Sequence, residues 1–237
     1  MLVEEITSEE FEKAKSEIKT VIIPVGSIEA HGPHLPLATD LYTIYEVCKV
    51  LSQKIKILVA PPVYYGLCRS TYPLAGTISI KGELLKTLIF NIISEFYRQN
   101  FRNFFILSGH AGGTHSAYLI DAAEAFLELH PEAKFFVANI YQLLIPFLKE
   151  IGIPERDSHA GEWEVSLIKY FKPHLVKGEG FEDYPDFPKF RVVADKKKYW
   201  PSGIWGNPLK ASEKKGKILV ERLVQFLIKE IKRMEEE

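Results

Sequence analysis

Three short stretches of the chain hold carboxylates and imidazoles at spacings that suit a metal. The first, Ser27 to Asp40, reads SIEAHGPHLPLATD. Residues two apart in an extended segment point the same way, so Glu29 and His31 present a carboxylate and an imidazole together. Asp40 falls at the start of a helical pattern, where its carboxylate can bridge two cations or simply help cap the helix end. The second stretch, Ser108 to His115 (SGHAGGTH), carries His110. The third, Asp157 to Glu164 (DSHAGEWE), sets His159 and Glu162 three apart, close enough to share one helix face. Oxygen and imidazole ligands without thiolates suit zinc, manganese or ferrous iron. Glu29, His31, Asp40 and His110, joined by His159 or Glu162, are donors enough for an open dinuclear site. Two metals roughly 3.5–4 Å apart generate a hydroxide at neutral pH and polarise a carbonyl.

Other readings of the same residues stay open at this level. His115, His130 and His174 read as surface or capping residues, and His34, in a proline-rich turn, as structural. Glu164 reads as a solvated helix residue or an ion-pair partner. The GHAGG loop also suits a nest of backbone amides that cradles a phosphate at a helix start. That keeps a non-catalytic nucleotide- or phosphate-binding module, without metal, among the candidate functions. A serine hydrolase lacks its G-x-S-x-G elbow. Cys68, in GLCRS, has no local cue for activation and reads as a packed residue.

The elements around these loops alternate. Apolar runs at Thr20 to Gly26, Ile57 to Pro62, Asn103 to Leu107 and Phe135 to Ile140 read as buried strands. Helical periods follow over Asp40 to Leu51, Lys81 to Asn100, Thr114 to His130, Gly161 to Phe171 and Glu213 to Met234, the last with Ser212 as N-cap. This alternation predicts an α/β fold with a mostly parallel sheet and helices on both faces. Ligands of such sheets sit at the strand-to-helix loops, and all three stretches are assigned there. The length, 237 residues, suggests a single domain over 1–237. One aromatic-rich excursion, 177–208, departs from the alternation and reads as a lid, an oligomer interface or a packed cover of the sheet edge. A balance of 30 Lys+Arg against 31 Asp+Glu argues against a nucleic-acid partner. Two cysteines and the lack of a long apolar run point to a cytoplasmic protein without a membrane span.

Together the segments PVGSIEAHGPHLPLATD, GTISI, SGHAGG, SHAGEWEVS and PSGIWGNP resemble the creatininase (creatinine amidohydrolase) family, from about Thr20 to Gly216. The resemblance implies a three-layer α/β/α domain, two divalent metal ions, hydrolysis of a linear or cyclic amide, and a homo-oligomer, often a hexamer. It also implies that Glu29, His31, Asp40 and His110 are metal ligands, with Asp40 bridging, and that His159 is a catalytic histidine. Creatinine-hydrolysing members carry a glutamate on the second metal where this chain has Gly112, and Glu162 is the nearest replacement, as ligand or proton shuttle. The residues before His159, Pro154 to Ser158, lack the aromatic and acidic groups that cradle creatinine. The loops are similar to those of a branch that deformylates a formylaminopyrimidine nucleotide in flavin and deazaflavin synthesis; a third branch cleaves a peptide during cofactor maturation. The expected reaction is therefore hydrolysis of a small-molecule amide, a formamide or a cyclic amide, with creatinine hydrolysis as the alternative. Thr77 and Ser79 of the GTISI segment are candidates to face the substrate, and Gly112 and Gly113 to let it approach the backbone.

Overall fold

The computed structural model describes residues 1–237. Four parallel strands form its sheet, in the order β2-β1-β3-β4: β1 (Thr20–Val25), β2 (Leu58–Val59), β3 (Asn103–Ser108) and β4 (Lys134–Asn139). Every residue of β1 and β3 is buried, as expected for central strands covered on both faces. Alternation along the strands sorts their side chains into two cores. Ile22, Val59, Phe105 and Leu107 join one core with α2 (Thr39–Ser52), α5 (Ile140–Leu148), α6 (Glu162–Phe171) and α7 (Glu213–Glu236). Val21, Ile23, Val25, Phe104 and Ile106 join the other with α1 (Ser8–Glu17), α3 (Gly82–Arg98) and α4 (Gly113–Leu127). A slip of one residue in the ladder would exchange the two sets, so the register Ile22↔Phe105 holds both cores at once. The result is the three-layer α/β/α arrangement.

Two helices escape the periodicity argument. α1 is mostly charged and buries only Ala14, yet Thr7 and Glu10 form a capping box around its start, a T-x-x-E signal legible in the sequence. α5 begins directly after β4 and contains Pro146. Its apolar residues blur into the strand, and only the Asn139/Gln142 capping box marks the boundary. This has a consequence for the third ligand stretch. It follows α5 and a short 3-10 turn, not a strand, and reaches the sheet edge as the lead-in to α6. The segment after β2, which also runs along that edge, takes the strand-to-helix place expected of the third loop. No helix is long and apolar enough to cross a membrane.

α6 and α7 pack closely because Gly216 has no side chain: a Cβ there would overlap the Ser166 carbonyl. Gly216→Ala, which at a free helix site would gain about 1 kcal/mol, is expected to lose about 1–3 kcal/mol through overpacking. The urea midpoint reads the sign.

Candidate metal centre

β1 delivers the first loop to the carboxyl edge of the sheet, and two hydroxyls hold its carboxylates. Ser27 Oγ donates to Asp40 Oδ2 at 2.6 Å and lies 3.3 Å from Glu29 Oε1. Thr71, on the segment after β2, donates to Glu29 Oε2. The second loop reaches Asp40 through Gly109, where a Cβ would overlap the Asp40 carbonyl. The third is locked by Asp157, whose carboxylate accepts from the backbone N–H of Glu162 (2.9 Å), Trp163 (3.3 Å) and Asn207 (2.9 Å). Asp157 thus caps the start of α6 and ties it to the excursion.

His31 and His110 each have one ring nitrogen tied to a carbonyl and the other aimed at carboxylates. His31 Nδ1 donates to the Glu29 carbonyl at 3.1 Å, leaving Nε2 to face Asp40 Oδ1 (3.1 Å) and Glu164 Oε2 (3.7 Å). His110 Nε2 donates to the Leu67 carbonyl at 3.2 Å, leaving Nδ1 to face Glu29 Oε1 (2.6 Å) and Asp40 Oδ2 (3.1 Å). Orientation of an imidazole by a carbonyl on its far nitrogen is the usual support of a metal-binding histidine. Asp40 meets an imidazole on each oxygen, His110 on Oδ2 and His31 on Oδ1. Donor atoms of Glu29, His31 and His159, of Glu29, Cys68 and His110, and of His31, Asp40 and Glu164 each lie within 4.8 Å of one another, spacings that suit divalent cations.

The charge balance of the cluster agrees. Burial pushes Glu164 up to about 8, an effect that His31 only partly offsets. Burial also opposes ionisation of Glu29 and Asp40, but the histidines beside them outweigh it and hold both carboxyls low. In return, and against their own burial, His31 is raised to about 10, chiefly by Asp40 and Glu164, and His110 well above its ordinary value, chiefly by Glu29 and Asp40. A buried set of carboxylates raises the proton affinity of the imidazoles beside it. Divalent cations are the charge that this donor set suits.

Several sequence readings change here. Glu162 is turned away from the cluster: its Oε1 pairs with Lys215 and its Oε2, also buried, has no partner. Glu164 faces His31 instead, 4% exposed rather than solvated, and also accepts from the Ala160 N–H. The reason is helix phase, since Asp157 fixes α6 so that residue 164 faces the sheet edge. Thr77 and Ser79 do not line the cavity; Thr77 accepts from the Ala30 N–H (3.0 Å) and Ser79 from the Cys68 N–H (2.8 Å), so both brace loops. His115 is buried, not superficial, accepting from the Leu67 N–H and facing Ser108 Oγ, each at 3.1 Å. Cys68 is packed, as expected, and its thiol also lies within 4.8 Å of donor atoms of Glu29 and His110. Burial first, then Glu29, pushes that thiol up to about 12.

The cluster opens into a cavity of ≈ 210 Å³. His159 forms part of its wall, stacked on His31 (4.0 Å between ring centroids) and met edge-on by Trp200 (5.0 Å). Gly112, Gly113 and Trp205 are also part of the wall. The excursion therefore packs its 200–206 end on the centre, bonded through Ser158 N–H to the Trp205 carbonyl (2.8 Å) and Trp205 N–H to the His159 carbonyl (2.7 Å). Phe190 and Val192, near its middle, stand fully in solvent.

Because His31 carries its proton up to about 10, metal uptake near neutrality must displace protons. Apparent affinity is expected to rise with pH, by about tenfold per unit for each proton displaced, and calorimetry in buffers of different ionisation enthalpy measures the release. Glu164→Gln is expected to lower metal content, whereas Glu162→Gln leaves it unchanged. Metal analysis of the purified variants decides between the two glutamates.

The creatininase family model, described as creatinine amidohydrolase, matches residues 4–231. Creatinine amidohydrolase of Pseudomonas putida is 25% identical over 250 residues, covering 95% of this chain and 94% of the relative. A mycofactocin precursor peptide peptidase of Mycolicibacterium smegmatis is 28% identical over 233 residues, covering 92% and 86%. The solved structure of a mutant creatininase of Zn-Zn type superposes with a TM-score of 0.88 at 26% identity, covering 98% of this chain and 97% of the other. With the family match spanning nearly the whole chain and its buried carboxylate–imidazole cluster suited to cations, the protein belongs to the creatininase family of metal-dependent amidohydrolases.

Proposed function

We propose that this protein hydrolyses the amide bond of a small planar molecule, specifically the formamide of a formylaminopyrimidine nucleotide. The observation that carries the hydrolytic part is the two-sided Asp40 carboxylate, with His110, which also faces Glu29, on one oxygen and His31, which also faces Glu164, on the other. In this reading Glu29, Asp40 and His110 hold one divalent cation, and His31, Asp40 and Glu164 a second, with zinc, manganese or ferrous iron suited to such donors. Cations bound there supply Lewis acidity, which polarises a carbonyl and makes water a nucleophile near neutral pH.

The protein's own residues do the rest. His159 Nε2 donates to the Ala30 carbonyl at 2.7 Å, which leaves Nδ1 to take a proton from the attacking water and pass it to the departing nitrogen. Burial, with His31 beside it, holds the imidazole down at about 4, so it is neutral at pH 7 and a weak base there, suited to passing a proton on rather than keeping it. Trp200 fixes the ring edge-on and Trp205 adds a flat apolar wall, which suits stacking by a conjugated heterocycle and keeps bulk water out. Gly112 leaves room beside His110, where a Cβ would lie 2.5 Å from Nε2. That position and the segment Pro154 to Ser158 both depart from creatinine-hydrolysing relatives, which favours the formamide over creatinine.

A product screen tests the reading. Formate release from a formylaminopyrimidine nucleotide supports it; creatine from creatinine assigns the other activity; absence of both, with metal bound, overturns the substrate. His159→Ala is expected to lower the rate about 10²–10⁴-fold with metal content retained. Asp40→Ala is expected to lose both metal and rate, and full retention of either refutes the site.

A further inference from the structure

The cavity over the metal cluster is too small for a whole substrate of ordinary size, since ligand pockets commonly run from roughly 300 to 1,000 Å³. A second cavity, ≈ 510 Å³, adjoins it and shares His110, Gly112, Gly113, Ser70 and Trp205 with it. Its outer wall carries Arg69, from the segment after β2, with Arg191 and Lys196 from the excursion. None of the three cations has a carboxylate partner within ion-pair distance, and no Asp or Glu lines this cavity. Glu83 borders Arg69 on the far side, where its carboxylate accepts from the Tyr118 hydroxyl at 2.8 Å. Lys196 Nζ donates to the Arg69 carbonyl at 2.9 Å, which draws the charges of the two segments together rather than apart. Partial burial and Arg69 both depress the Lys196 ammonium, so like charges are crowded on this wall, with Glu83 the nearby carboxylate but no ion pair formed. The start of α4, which has no side-chain cap, lies on the same wall.

We infer that Arg69, Arg191 and Lys196 form an anion subsite that holds a phosphate monoester of the substrate while its amide lies at the metal cluster. The inference rests on the reading of that cluster as a hydrolytic centre, but it assigns different residues and a different part of the ligand. Phosphate suits the wall better than a carboxylate does. It brings close to two negative charges and several acceptor oxygens to a wall of fork-shaped and point-like donors. The excursion then serves both ends of one ligand, because its 200–206 end walls the reacting group and its 191–196 part holds the distant charge. The Gly112-Gly113 wall common to both cavities lets one ligand lie across them.

Calorimetry on the metal-loaded protein, with ribose 5-phosphate as probe and ribose and acetate as comparisons, tests this directly and needs no turnover. Ribose 5-phosphate is expected to bind, ribose and acetate much more weakly, and the Arg69→Ala/Lys196→Ala variant to lose about tenfold or more of the affinity at unchanged metal content. Arg191→Ala, on the exposed excursion, serves where the double variant fails to fold, and is expected to weaken binding by a smaller factor. Undiminished binding by these variants would place the phosphate on the metals alone and overturn the inference. Acetate binding as tightly as ribose 5-phosphate would also overturn it, in favour of a carboxylate subsite. A protein that holds no metal yet binds ribose 5-phosphate through these cations would sink the hydrolytic reading and leave the anion subsite standing.

Discussion

Three carboxylates, Glu29, Asp40 and Glu164, are buried together at one edge of an apolar sheet, against His31 and His110. Taking several like charges out of water is costly unless positive charge accompanies them, and much else in the molecule serves that compensation. The raised affinity of both imidazoles for protons is its signature in this structure. Divalent cations held by these carboxylates and imidazoles would supply that positive charge. Stability and catalytic potential are thereby linked, because the charge that makes the folded cluster tolerable is also the charge that would activate a carbonyl.

The fold supplies the rigidity that such a cluster needs. β1 and β3 are central strands with no exposed residue, so the loops at their carboxyl ends start from fixed points. Close approach is then a matter of missing side chains. Gly109 lets the His110 loop touch the backbone of Asp40, and Gly216 lets α7 press on α6. Asp157 completes the frame from outside the metal set. By accepting three backbone N–H groups it decides the phase of α6, and with it which glutamate faces His31 and Asp40. A carboxylate outside the cluster thus governs which carboxylate joins it.

The excursion over 177–208 ties recognition to this frame. Through Trp200 and Trp205 it contributes apolar wall to the cavity over the cluster, and through Arg191 and Lys196 it contributes charge to the adjoining cavity. Residues that share a long irregular segment can vary without disturbing the strands.

Local sequence was enough to find the parallel α/β alternation, the Glu29-x-His31 pair, Asp40 at a helix start and His110 after a buried strand, because spacing and burial pattern act over a few residues. It was not enough to choose between Glu162 and Glu164. Both lie on the same turns of α6, and the choice depends on helix rotation, set by Asp157 and Asn207 from fifty residues apart. Nor could it reveal that Thr77 and Ser79 brace loops, that His115 is wholly buried, or that the third loop follows a helix. Those depend on contacts between segments remote along the chain, where propensity and periodicity carry no information. The residue types determined that a cation-binding chemistry was available; the packing of α6 and of the excursion against the sheet edge decided which side chains take part in it, since only three-dimensional contact sets the direction in which a side chain points.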